Sequence, residues 1–149
     1  MIQEFLVRKQ QDFTPVIEFV LGTTVTEVAF VIALSGDLGA GKTAFTQELA
    51  KFLGVTEVVT SPTFTIMKQY PLEGQLFNQL VHIDAYRLED ESEVVPLRLQ
   101  EIFNAPKTIV CLEWPERIAA LIPSTAVRVS IGINPDETRT VRVELPERK

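Results

Sequence analysis

Residues 36 to 45 read GDLGAGKTAF, and Gly36, Gly41, Lys42 and Thr43 satisfy the spacing G-x-x-x-x-G-K-[ST]. Glycines there let the backbone turn several N–H groups inward around phosphate oxygens, and a helix beginning directly afterwards adds the positive end of its dipole. In that chemistry Lys42 reaches the β- and γ-phosphates and the Thr43 hydroxyl ligates Mg²⁺. The candidate phosphate cradle is Gly36, Asp37, Leu38, Gly39, Ala40, Gly41, Lys42 and Thr43. A glycine-rich turn carrying a surface lysine is the bland alternative, and the flanking sequence argues against it. Val28 to Leu34 is a continuous apolar run of strand length, the pattern of a strand buried on both faces. From Thr43 onward, Phe45, Leu49, Phe52 and Leu53 recur at helical spacing, with Gly54 as a C-cap candidate. The loop thus lies between a strand and a helix.

A magnesium nucleotide site needs a carboxylate at the end of a neighbouring strand, facing the Thr43 side of the metal. Two further apolar runs, Leu80 to Ile83 and Ile109 to Leu112, each end in one: Asp84 and Glu113. The run before Glu113 is the more fully apolar, which predicts the more central strand. Glu113 is therefore the candidate direct or water-mediated Mg²⁺ ligand, and Asp84 a second ligand or an orienter of the attacking water. Ser61-Pro62-Thr63 follows the loop helix, where a threonine can contact a γ-phosphate and release its segment after hydrolysis. The alternative is a proline turn entering a strand Phe64 to Met67. His82, the single histidine, sits within an apolar strand and reads as a hydrogen-bonded core residue. Trp114 can pack in the core, beside a nucleotide or against a partner.

Toward the amino terminus, Thr14-Pro15 reads as a helix N-cap with proline at the first helical position, and Gly22 as the stop. Ser92 to Phe103 has helical character broken by Pro96. In the tail, Val127, Val129, Ile131 and Ile133 alternate with small or polar residues, then Val141, Val143 and Leu145 do so beyond the turn-rich NPDET, predicting a hairpin with one solvated face. The expected fold is α/β: a P-loop NTPase-like mixed sheet flanked by helices, parallel in its nucleotide-binding part, with an antiparallel C-terminal hairpin. A chain of 149 residues that is 46% hydrophobic suits one domain, spanning residues 1–149.

The formal net charge of −6 argues against independent binding to nucleic acid, which needs clustered Lys and Arg, so any RNA connection is expected to run through a partner protein. Val25 to Leu34 is too short to span a bilayer, and the opening MIQEFLVRKQ lacks a signal-peptide core, so the expected location is cytoplasmic. The lone Cys111, in an apolar run, reads as a small buried hydrophobe in a reducing compartment.

Taken together, GDLGAGKT, SPTF, HIDAYRL and LEWPE, in this order and at these separations, closely resemble the TsaE (YjeE) family of bacterial P-loop ATPases over nearly the whole chain. The resemblance implies a small, slow, Mg²⁺-dependent ATPase that works with TsaB and TsaD to place threonylcarbamoyl on the adenosine next to the anticodon of tRNA. It implies ATP and Mg²⁺ as cofactors, phosphates held by Gly39 to Thr43, and Mg²⁺ bound by Thr43 and Glu113, with Asp84 supporting the metal or the water. Residues ahead of the first helix and an arginine of the tail hairpin approach the nucleotide in the family, and correspond here to Asp12 and Arg139. The catalytic candidates are Lys42, Asp84, Glu113 and Thr63. Many relatives carry a serine or threonine and an arginine where this helix has Ala44 and Gln47.

Two rival enzymes fare worse. A small-molecule P-loop kinase needs an acceptor pocket and an arginine-bearing lid, for which the chain has no insertion. A GTPase generally carries an N-K-x-D element, absent from this sequence. A nucleotide-sensing scaffold that binds ATP without hydrolysing it stays open. Charge stabilisation beyond Lys42 and Mg²⁺ falls to Arg87, Arg117 or a partner.

Overall fold

The computed structural model describes residues 1–24, 27–37, 39–57, 67–74, 76–86 and 98–146. Leu38, Thr63, Arg87, the Ser61-Pro62-Thr63 segment and the Pro96 break lie outside them.

Seven strands form one sheet: β1 (Ile2–Val7), β2 (Phe30–Gly36), β3 (Met67–Pro71), β4 (Gln79–Asp84), β5 (Thr108–Glu113), β6 (Val127–Ile133) and β7 (Arg139–Glu144). The helices are α1 (Phe13–Leu21), α2 (Lys42–Phe52) and the short α3 (Leu99–Phe103), with 3₁₀ turns at Gln10–Asp12 and Pro115–Leu121. The spatial order is β1-β7-β6-β2-β5-β4-β3. Strands β6, β2, β5 and β4 run parallel, while β7 and β1 on one flank and β3 on the other are antiparallel to their neighbours. This is the mixed α/β sheet expected.

β2 is buried from Phe30 to Leu34 because both faces are covered. Its even-numbered Phe30, Ile32 and Leu34 join the larger core with α1 and α2, together with Ile109 and Cys111 of β5 and Leu80 of β4. Val31, Val110, Leu112, Val81 and Ile83 point the other way, into a second core closed by α3 and by Ile118 of the 3₁₀ segment. Period-2 alternation therefore places Asp84, His82 and Glu113 on the α2 face, because they share parity with Leu80, Ile109 and Cys111. Glu113 does sit on the more central strand, next to β2.

Several boundaries differ from those expected. β2 begins at Phe30, not Val28, whose side chain is exposed. α1 starts at Phe13 with Asp12 as N-cap, so Pro15 falls third in the helix, where its missing N–H is still among the orphan donors and costs no bond. Gly22 ends α1 in the right-handed region, and Thr23 and Thr24 hydroxyls donate to the Val20 and Leu21 carbonyls. Phe52 is exposed rather than part of the α2 stripe, while Gly54, at φ 89°, follows the helix in the left-handed conformation. Of the strand expected at Phe64 to Met67 only Met67 lies among the described residues, and it opens β3. β1 was not foreseen.

The hairpin alternates as predicted through Val127, Val129, Ile131, Val141 and Val143, buried between exposed Arg128, Ser130, Arg142 and Glu144, but the pattern fails at its ends, where Ile133 is exposed and Leu145 only partly buried.

Candidate nucleotide site

The loop closes between β2 and α2 on two glycines that no other residue can replace without strain. Gly36 has φ 152°, and a Cβ there would lie 2.7 Å from the Ile131 carbonyl oxygen of β6. Gly41 has φ 113° as the N-cap of α2, a conformation that side chains resist. Ala40 N donates to Asp37 O at 3.0 Å and Phe45 N to Gly41 O at 2.9 Å, so the loop runs directly into the helix.

Lys42 opens α2 and is only 6% exposed. Its Nζ donates to the carbonyls of Gly36 and Asp37, two residues of its own loop, and stands 4.1 Å from the Trp114 ring centroid. Burial lowers its pKa; Glu113, then Glu116, Asp84 and Asp37, oppose that shift by favouring the charged ammonium.

The two acidic residues are neighbours in the sheet. Asp84 and Glu113 are register partners at the ends of the parallel strands β4 and β5. Asp84 Oδ1 accepts a 3.0 Å bond from Tyr86 N, and Glu113, 2% exposed, accepts on Oε2 from the buried His82 Nε2. Each carboxylate is followed by an aromatic: Tyr86 and Trp114 pack with ring centroids 4.9 Å apart, and Arg117 lies 6.0 Å from the Tyr86 ring. Trp114 adopts φ 59°, a left-handed conformation uncommon outside glycine, at the turn between Glu113 and Pro115. Thr43, second in α2, is half-buried.

Mg²⁺ takes hard oxygen donors and keeps several waters or phosphate oxygens in its shell. A threonine hydroxyl and two neighbouring carboxylates fit that ion, as part of its shell. Among the described residues no group of three or more His, Cys, Asp and Glu side chains is arranged to hold a metal unaided. A metal whose remaining ligands come from phosphates and water requires no such group.

Arg139, at the start of β7, reaches the loop: Nε donates to Ala40 O at 2.9 Å and Nη1 to Glu137 O. Beside it opens a cavity of about 190 Å³, with Val7, Phe13 and Ala44 as apolar walls and Lys9, Gln10 and Arg139 as polar ones. Asp12 is not part of that lining. Its Oδ2 accepts from the Arg8 and Lys9 amides at 3.0 and 3.2 Å, and these bonds hold its carboxyl below the usual range. The segment ahead of α1 therefore does face the loop, but through Val7 to Gln10, with Asp12 shaping their turn. Sequence reading missed these residues because β1 reaches the loop only through its long-range pairing with β7. It also left the position of Trp114 open, and a ring placed over a lysine from another element leaves no trace in spacing.

The comparisons with known proteins agree with the geometry. The family model described as threonylcarbamoyl adenosine biosynthesis protein TsaE matches residues 9–141. A curated relative from Bacillus subtilis, named as tRNA threonylcarbamoyladenosine biosynthesis protein TsaE, is 46% identical over 74% of this chain and 66% of its own length. One of the same name from a Nostoc species is 38% identical over 96% of this chain and 85% of that protein. Among solved structures, Bacillus subtilis YdiB superposes with a TM-score of 0.78 at 27% identity, covering 99% of this chain and 87% of that one. A loop with the G-x-x-x-x-G-K-T spacing, a carboxylate pair in register on the neighbouring strands and matches of this extent carry one conclusion: the chain belongs to the TsaE family of tRNA threonylcarbamoyladenosine biosynthesis proteins.

Proposed function

We propose that the chain binds ATP with Mg²⁺ and hydrolyses it slowly, in the cytoplasm, acting with TsaB and TsaD in the threonylcarbamoyl modification of tRNA. The observation that carries this reading is the convergence, on one face of the sheet, of the Gly36–Thr43 loop, the buried Lys42 ammonium and the paired Asp84 and Glu113. Among the described residues no helix is long and apolar enough to cross a membrane.

In this reading the loop N–H groups and the α2 N-terminus receive the phosphates, and Lys42 exchanges its bonds to the Gly36 and Asp37 carbonyls for bonds to phosphate oxygens. Thr43 and Glu113 would hold Mg²⁺, which would supply charge neutralisation to the phosphates when bound, and Asp84 would ligate that ion or orient the water that attacks the γ-phosphorus as ADP leaves. The cavity at Val7, Phe13 and Ala44 receives the base and sugar. Arg139 is held by the Ala40 and Glu137 carbonyls, and Arg117 lies beside Tyr86. A transition-state arginine supplied by a partner would add about 10³ to 10⁵ in rate, which is why turnover is slow alone.

Phosphate release from Mg·ATP, measured with and without purified TsaB and TsaD, tests the proposal, with Lys42→Ala as control. Release that rises with the partners and vanishes in the variant is expected. Intact nucleotide binding with no release in either condition would replace the ATPase by a nucleotide sensor.

A further inference from the structure

His82 is fully buried on β4, and only one of its ring nitrogens is satisfied. Nε2 meets Glu113 Oε2, while Nδ1 has no hydrogen-bond partner among the described residues. Buried polar atoms without partners are rare in folded proteins and call for a reason. The pairing also selects the tautomer. A carboxylate oxygen only accepts, so Nε2 carries the hydrogen, and of the two neutral tautomers the one that leaves merely a lone pair at Nδ1 fits; the other would set two acceptors against each other and bury an unpaired N–H.

The position of the ring explains why a histidine stands in an otherwise apolar strand. His82 pairs in register with Cys111, two residues behind the Asp84–Glu113 pair, and His82, Asp84 and Glu113 share the α2 face. Glu113 is therefore backed by the imidazole; its charge acts on the Lys42 ammonium, yet the two form no salt bridge, Lys42 bonding the Gly36 and Asp37 carbonyls instead. A buried carboxylate beside a buried ammonium has an obvious alternative, an ion pair that would withdraw both groups from phosphate and metal.

We propose that His82 is a positioning residue: its Nε2–H holds Glu113 Oε2 on the β4 side, away from Lys42, and leaves Oε1 to face the metal of a bound nucleotide. This rests on the magnesium role of Glu113 proposed above. Partners that orient a ligating side chain in this way typically affect metal affinity by about 10- to 100-fold.

Two measurements test it. The untagged chain has one histidine, so ¹⁵N-histidine labelling yields a single imidazole spectrum. Nε2 protonated and Nδ1 bare is the expected pattern, lost in Glu113→Ala; a bare Nε2 in the wild type overturns the proposal, whatever the metal does. The second is calorimetric ATP binding across a Mg²⁺ series for wild type, His82→Leu and His82→Gln, the glutamine amide standing in for Nε2–H. His82→Leu should need about tenfold more Mg²⁺ for half-saturation with its metal-free ATP affinity unchanged, and His82→Gln should recover most of that loss. A folded His82→Leu whose magnesium curve overlays wild type overturns the role. If His82→Leu does not fold, the glutamine variant and the imidazole spectrum decide alone. A wild type that binds ATP with no response to Mg²⁺ instead removes the metal reading of Glu113, and this role with it.

Discussion

Gly36 shows how tightly one residue is constrained. Its positive φ and the nearby Ile131 carbonyl mean that Gly36→Ala should cost about 2 kcal/mol from backbone strain, before any steric adjustment of β6. Chemical denaturation checks this, and an unchanged midpoint would mean the loop relaxes freely. Cys111 offers a second test at this scale. Burial pushes its thiol up to about 12 despite the Thr46 hydroxyl 3.3 Å away, so it stays a neutral, inaccessible thiol at neutral pH. Alkylation of native protein should therefore be slow and should follow global unfolding as denaturant rises; rapid labelling without denaturant would contradict the packing of β5. The expectation of a buried, unreactive cysteine came from its apolar neighbours, and the structure agrees.

Among the elements, the turn between β1 and α1 is held by one exposed carboxylate. Asp12 has its pKa lowered by the Arg8 and Lys9 amides, so its stabilising effect is complete above the ordinary value of 3.8 and is lost as pH falls through the lower folded value. Asp12→Asn should lower stability near neutral pH and flatten the acid limb of the stability profile, measured by denaturation at a series of pH values. A variant with the same acid limb as wild type would show that the turn holds without the carboxylate. The helix α2 carries the next test. Thr43→Ala and Glu113→Ala should each weaken the magnesium dependence of ATP binding, and magnesium titrations that overlay wild type would remove those two residues from the metal site. The elements around this site were legible because burial on both faces leaves a continuous apolar strand and the loop motif fixes its neighbours. β1 was not legible: its Ile2 and Leu6 are exposed and only Val7 is buried, so no clean alternation marks it.

Across the whole molecule, the hairpin and the loop are one assembly. Gly36 abuts Ile131, Ser35 Oγ lies 3.2 Å from Ser130 Oγ, and Arg139 bonds to Ala40. Arg139→Ala removes that last tie, a part-buried hydrogen bond worth about 1 kcal/mol in stability. Its larger effect is expected on nucleotide affinity, about tenfold, read by calorimetry with the melting temperature as control; equal affinity would place the nucleotide away from the hairpin. The net charge of −6 bears on the molecule as a whole, and predicts no measurable tRNA binding by the isolated chain in a gel shift at physiological salt.

The loop, its strand and helix, the two carboxylates after apolar runs and the family were all present in the order of residues, because each depends on spacing along one segment. The register pairing of Asp84 with Glu113, the imidazole behind Glu113, the indole over Lys42 and the Val7–Gln10 wall beside Arg139 depended on strand order and register. Those contacts join segments tens of residues apart, and such neighbours are chosen by how the sheet packs its two cores, a choice that no local pattern records.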